Sequence, residues 1–162
     1  MNPASVRRAS IRTLQDKRAV RKFDELSVGE TRQSEFVELT EHAIRAFAEQ
    51  FDPQWFHIDP DAAKASPFGG LIASGAHLIS LWRRIDHAIN GDIAYQCGVG
   101  MENVKFVRAV SAGERLRLRS EIVAMRPSST QAERGLVTMA YLMSNQDGET
   151  VMTLTALNLV YR

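Results

Sequence analysis

The order of elements in this sequence predicts an α+β domain, with one strand, a helix, a proline-bearing connection, a long helix and then four antiparallel strands. Three observations carry that reading. From residue 68 to residue 90, Leu71, Gly75, Leu78, Trp82, Ile85 and Ile89 recur at spacings of three and four, the apolar stripe of one long amphipathic helix. Residues 115–119 read Arg-Leu-Arg-Leu-Arg and continue through Ile122 and Ala124, which is the period of a half-buried strand. Asn145-Gln146-Asp147-Gly148 then separates two further strand-forming runs with the residues of a hairpin turn.

In chain order, residues 1–22 come first and hold seven basic residues (Arg7, Arg8, Arg12, Lys17, Arg18, Arg21, Lys22) against Asp16, in a chain whose net charge is only +1. They read as a solvated basic extension, since no nucleic-acid-binding pattern accompanies the charge. The domain itself is assigned to residues 23–162. A turn-forming lead ends at Gly29, and residues 33–40, centred on Phe36 and Val37, read as a strand. Thr40 is placed as the N-cap of a helix over 41–51, with Glu41 in its first turn and Ile44, Phe47, Ala48 and Phe51 as the buried stripe. The long helix ends at Asn90-Gly91. Beyond it, Val104 and Phe106 mark a strand, Ser111-Ala112-Gly113 a turn, and 115–124, 135–144 and 151–161 three more strands, predicting a meander.

Bulk properties narrow the class. At 162 residues, 44% hydrophobic and 24% charged, the chain is long enough for one domain with a substantial core. No apolar run approaches the length of a membrane span, and the first 30 residues carry no hydrophobic signal region, so a soluble, cytoplasmic protein with no membrane or nucleic-acid partner is expected. The single cysteine, Cys97, cannot close an intrachain disulfide and matches no metal-ligand spacing, so it is read as structural.

The chemistry concentrates in residues 51–76. Asp52 and His57 stand five apart in a segment interrupted by Pro53, Pro60 and Pro67, which places a carboxylate and an imidazole on a loop. Gly69 and Gly70 lead into the long helix, whose first amides, near Gly70 and Leu71, are candidate donors to a developing negative charge. Asp-x4-His alone is a common coincidence, equally compatible with a turn-capping Asp and a packed His. The longer string is far more specific: Asp52-Pro-x-x-Phe-His57-x-Asp59-Pro, then Ala62-Ala63, then Phe68-Gly69-Gly70-x-Ile72-Ala73-x-Gly75 resembles the MaoC-like acyl dehydratase family, which includes the (R)-specific enoyl-CoA hydratases.

That resemblance implies a hotdog fold, in which an antiparallel five-stranded sheet wraps a long central helix, and a homodimer with active sites near the subunit boundary. It implies Asp52 and His57 as the catalytic pair, hydrating a 2-enoyl thioester or dehydrating a 3-hydroxyacyl thioester, with no cofactor beyond the coenzyme A of an acyl-CoA substrate. Gly70, Leu71, Ser74 and Ser80 are the expected substrate-contacting positions. Many family members carry His where Ser74 stands, and Gln54-Trp55 replaces a frequent Asn-Pro, which bears on the substrate rather than the fold.

Two other readings stay open at this level, an acyl-CoA thioesterase on the same scaffold and a non-catalytic acyl-thioester-binding module. Other templates fail. There is no Gly-x-Ser-x-Gly and no phosphate-binding loop, and Gly98-Val-Gly100 lacks its third glycine. Asp59 and Asp61 lack a calcium loop's remaining ligands and read as turn caps. His42, His77 and His87 have no second ligand at helical spacing.

Overall fold

The structure, a computed structural model, describes residues 20–162. A 3-10 turn, Phe23–Glu25, precedes two short strands, β1 (Thr31–Gln33) and β2 (Val37–Glu38). Four helices follow: α1 (Glu41–Phe51), the single turns α2 (Trp55–Ile58) and α3 (Pro60–Ala63), and α4 (Gly75–Asn90). The long strands β3 (Tyr95–Phe106), β4 (Arg115–Pro127), β5 (Arg134–Asn145) and β6 (Thr150–Tyr161) complete the chain. One antiparallel sheet runs β1-β4-β5-β6-β3, with β2 also on β4, and α4 lies against it, which is the hotdog arrangement.

Burial of the alternating faces holds the layers together. Leu78, Leu81, Trp82 and Ile85 of α4 join Leu116, Leu118, Ile122, Val137, Met139, Tyr141, Met143, Val151 and Leu154 in one apolar cluster. Each large side chain so buried is worth roughly 1.5–3 kcal/mol. The charged side chains of Arg115 and Arg119 stay outside while Leu116 and Leu118 are fully buried, as the alternation predicts.

Several details depart from the sequence reading for identifiable reasons. The strand expected over 33–40 is broken into β1 and β2, giving six strands rather than five, because the Ser34 hydroxyl accepts the Leu118 amide that a strand carbonyl would take. The meander holds for β4, β5 and β6, but β3 pairs with β6 at the far edge, so 107–114 is a crossover rather than a hairpin. A bulge between Ile122 and Ala124 in β4 reverses the alternation, leaving Ala124 exposed and packing Met125 against the core. Phe51, expected in the buried stripe of α1, is 67% exposed, and Cys97 is exposed on β3.

The long helix also begins later than expected. Residues 71–74 run extended and buried, because the Ile72 amide donates to Phe56 O and the Ala73 amide to Val110 O. These bonds tie the segment between the α2 turn and the β3–β4 crossover. Ser74 then caps α4, its hydroxyl accepting the His77 amide at 3.3 Å.

The chain is tied to the domain on both sides of the assigned boundary at residue 22. Arg21 forms a parallel bridge with Ile93, and Phe23 packs so closely on Gly135 that a Cβ there would lie 2.3 Å from its ring. Residues 1–19 of the basic extension lie outside the described residues.

Candidate active site

Asp52 is the residue that ends α1. Its amide still bonds Ala48 O, after which Pro53 prevents another helical turn, and Gln54 starts the single turn α2 that carries His57. The predicted loop thus contains two short helical turns, the second capped by Asp59, whose carboxylate accepts the Asp61 and Ala62 amides. Asp59 is therefore the turn cap, Asp61 Oδ1 accepts from Lys64 Nζ at 2.7 Å, and the described residues contain no group of three or more His, Cys, Asp or Glu placed to hold a metal ion.

His57 is 4% exposed, and its Nδ1 lies 2.7 Å from Ile72 O. A carbonyl oxygen only accepts, so Nδ1 carries a hydrogen and, in the neutral ring, Nε2 presents a lone pair. Phe56 packs edge-on against the imidazole at 4.5 Å and fixes its plane. Nε2 faces Asp52 Oδ2 at 3.7 Å. That gap is too long for a direct hydrogen bond and suits a molecule of water bonded to both.

The Asp52 carboxyl is held below its ordinary acidity range, first by the hydrogen bond from Gln54 Nε2 at 3.1 Å; partial burial opposes this, and the Ser74 hydroxyl and His57 add to it. The carboxylate is therefore ionised near neutral pH. The site joins a fixed negative charge to an imidazole lone pair, with a helix N-terminus alongside through Ser74.

The amides at that N-terminus belong to Gly75 and Ala76, neither of which has an acceptor among the described residues. The sequence reading placed these donors at Gly70 and Leu71. Those two amides also lack a described acceptor, but Gly70 lies in the bend before the extended segment and Leu71 is that segment's first residue, four to five residues ahead of α4. Ser74 is brought to the pair, whereas Ser80 is exposed and donates its hydroxyl back to Ala76 O on its own helix. Gly75 and Gln54 are the positions the sequence reading missed. The signal for Gly75 was present in Ser74, a strong N-cap residue that marks the next two amides as free.

The rim of the site is apolar. Phe51, Trp55, Phe68, Phe106 and Val107 are all exposed around it, and the Phe106 ring covers Gly75, 2.7 Å from where a Cβ would stand. Cavities of about 350, 300 and 340 Å³ lie along the sheet and under α4, and Asp52 and His57 line none of them. Exposed hydrophobic side chains of this kind are the surface that a protein partner covers.

Comparison with known proteins agrees with this fold. A dehydratase from Rhodospirillum rubrum described as MaoC-like superposes with a TM-score of 0.80 at 32% identity, over 88% of this chain and 97% of that one. An (R)-hydratase from A. caviae shares the fold, with a TM-score of 0.67 at 23% identity over 82% of this chain and 96% of that one. Among curated proteins, 3-hydroxyacyl-thioester dehydratase Z of Mycobacterium tuberculosis is 34% identical over 97 residues, 57% of this chain and 64% of the relative, so the match spans about two thirds of that protein's length. No helix among the described residues is long and apolar enough to cross a membrane. With the MaoC like domain model matching residues 22–142, a stretch that includes the Asp52–His57 couple and the capped start of α4, the chain belongs to the MaoC-like domain family.

Proposed function

We propose that this protein reversibly hydrates a 2-enoyl thioester to a 3-hydroxyacyl thioester, with coenzyme A as the carrier. The observation that carries this is the 3.7 Å gap between the His57 Nε2 lone pair and the Asp52 carboxylate beside the open amides of α4. In the hydration direction, a water held between Asp52 and His57 loses a proton to the couple as its oxygen bonds C3. The electron pair of the double bond moves toward the thioester carbonyl, where the Gly75 amide and the helix dipole stabilise the developing oxyanion. The couple then returns a proton to C2, the carbonyl reforms, and both side chains end as they began. Burial of His57 by Phe56 and the 71–74 segment keeps bulk water from competing for its lone pair.

The apolar rim supports a homodimer in which the second copy closes the site. The experiment is the loss of enoyl-thioester absorbance with crotonyl-CoA and longer, branched or functionalised 2-enoyl-CoAs, comparing wild type with Asp52→Asn. Removing one member of an acid-base couple lowers the rate about 10²–10⁴-fold. Equal rates in the two proteins, or release of free thiol in place of hydration, would overturn the proposal.

A further inference from the structure

The outer face of the sheet, opposite the one that α4 covers, is not built like a solvated surface. On β5 and β6 the core takes Val137, Met139, Tyr141 and Leu154, and the alternate side chains turn outward. Every outward position from 136 to 142 and from 153 to 159 is Leu, Thr or Ala, and none is charged. An antiparallel sheet with one wet face alternates apolar with polar residues, whereas strands covered on both faces read as near-continuous apolar runs. Residues 136–143 and 151–160 are of the second kind, yet Leu142 is left 37% exposed.

Over this stretch charge is confined to the flanking strands, and the register sorts it by sign. Arg119 of β4, Leu142 of β5, Thr153 of β6 and Lys105 of β3 stand side by side in one row across the sheet. Glu121, Ala140, Thr155 and Glu102 form the next row. The first row is basic at both ends and the second is acidic at both ends. Arg119 and Glu121 pair along β4 at 3.1 Å, but both are solvated there, so the pair contributes little on its own. A depression of about 350 Å³ lies over the two rows, with the small Ala140, Thr153 and Thr155 between the long Arg119 and Lys105.

These rows complement a second copy of themselves turned over. A two-fold axis lying between them and across the strands sets β4 on β4 and lays each row on the other row of the second copy. Arg119 then faces Glu121 of the second copy, Lys105 faces its Glu102, and Leu142 enters the depression over its Ala140. Opposite charges meet at both edges and a large side chain meets a small one at the centre, giving the apolar middle and polar rim of a specific interface. The four long strands have 12 or 13 residues each, so the face measures roughly 40 Å by 19 Å. That is about 750 Å² per copy, close to the roughly 800 Å² that each partner contributes to a standard interface.

We propose that a second copy of this chain packs on the outer sheet face about that axis, with Arg119–Glu121 and Lys105–Glu102 pairs flanking Leu142 and Ala140. None of these residues belongs to the apolar rim around Asp52 and His57, and the face does not depend on the hydratase reading. Full-length protein is measured by sedimentation equilibrium across a concentration series as wild type, Leu142→Arg, Arg119→Glu, Glu121→Arg and the double variant Arg119→Glu/Glu121→Arg. Far-ultraviolet dichroism checks that each is folded, and the mass is read without turnover.

The expected result is that Leu142→Arg halves the mass of the wild-type assembly. Each single charge reversal sets like charges against each other and weakens association at least tenfold, whereas the double variant, with every β4 pair reversed, returns to within about threefold of wild type. An unchanged mass in Leu142→Arg overturns the proposal, as does a wild type that stays a single chain, or a double variant that associates no more tightly than the single reversals. If Leu142→Arg leaves a two-chain particle, the outer face stands beside a separate dimer that closes the reaction centre. If it leaves a single chain, the outer face stands and the site-closing dimer falls.

Discussion

The backbone carbonyl of Ile72 decides the chemistry of His57. By accepting from Nδ1 it leaves Nε2 as the ring's proton acceptor, on the side that faces Asp52. Neither fact was legible in the spacing of Asp52 and His57, because the acceptor comes from fifteen residues downstream and depends on 71–74 being extended rather than helical. The surrounding string, specific even though the spacing is not, singled the two residues out, and the fold sets their side chains 3.7 Å apart.

The Asp52 carboxyl gives a further prediction. Gln54 is the largest influence holding it below its ordinary value, ahead of Ser74. Removing a donor to the carboxylate raises its pKa toward the ordinary range, so the acidic limb of kcat/KM against pH moves to higher pH. Gln54→Ala should shift it further than Ser74→Ala, although Ser74→Ala also loses a helix cap worth about 1 kcal/mol. A limb unmoved in both variants would show that another group controls it.

Among the elements, α4 and the segment before it show most clearly what a pattern can and cannot predict. The apolar stripe placed Leu78, Trp82 and Ile85 in the core correctly, because a period of 3.6 depends only on the helix itself. It put the start of the helix seven residues too early, because Leu71 and Ile72 are apolar for a different reason. They are buried beneath the β3–β4 crossover, where hydrogen bonds to Phe56 and Val110 outcompete the helical ones. The polar residues Asp86 and Asn90 are likewise buried within the stripe, which periodicity could not foresee because their partners Tyr141 and Ser120 lie on the sheet.

Close packing at the sheet edge is testable in the same terms. Gly135 on β5 sits under the Phe23 ring with no room for a methyl group, so Gly135→Ala must displace the 3-10 turn. Overpacking of this kind costs typically 1–3 kcal/mol, read as a lower urea midpoint with unchanged slope. A midpoint equal to wild type would show that the turn moves away without cost.

At the scale of the whole molecule, a charge cluster fastens the N-terminal segment to the end of α4. Glu30 bonds Arg21 and Arg32, and Arg32 also pairs with Asp92 and donates to Ile89 O at 2.8 Å. The Arg21 hydrogen bond is the main reason the Glu30 carboxyl is lowered to about 2. A carboxyl depressed in the folded state contributes stability that is complete above its unfolded value, about 4.5, and is lost as pH falls toward 2. Glu30→Gln should therefore cost about 1 kcal/mol at pH 7, since the cluster is partly solvated, and flatten the loss of stability between pH 5 and pH 3. Denaturant midpoints across that range check it, and parallel curves for variant and wild type would exclude Glu30 as a contributor.

The same end of the molecule gathers both extremities of the described chain. Lys22 Nζ donates to Arg162 O at 3.0 Å, and the Arg162 guanidinium returns to Asp24. Residue 162 can consequently be linked to residue 20 by a short flexible peptide, and new termini opened at the exposed β4–β5 turn over 129–132, without severing any strand pairing. Such a rearranged chain should fold to the same far-ultraviolet dichroism. It would also carry any fused cargo at the β4–β5 turn instead of beside the first and last strands.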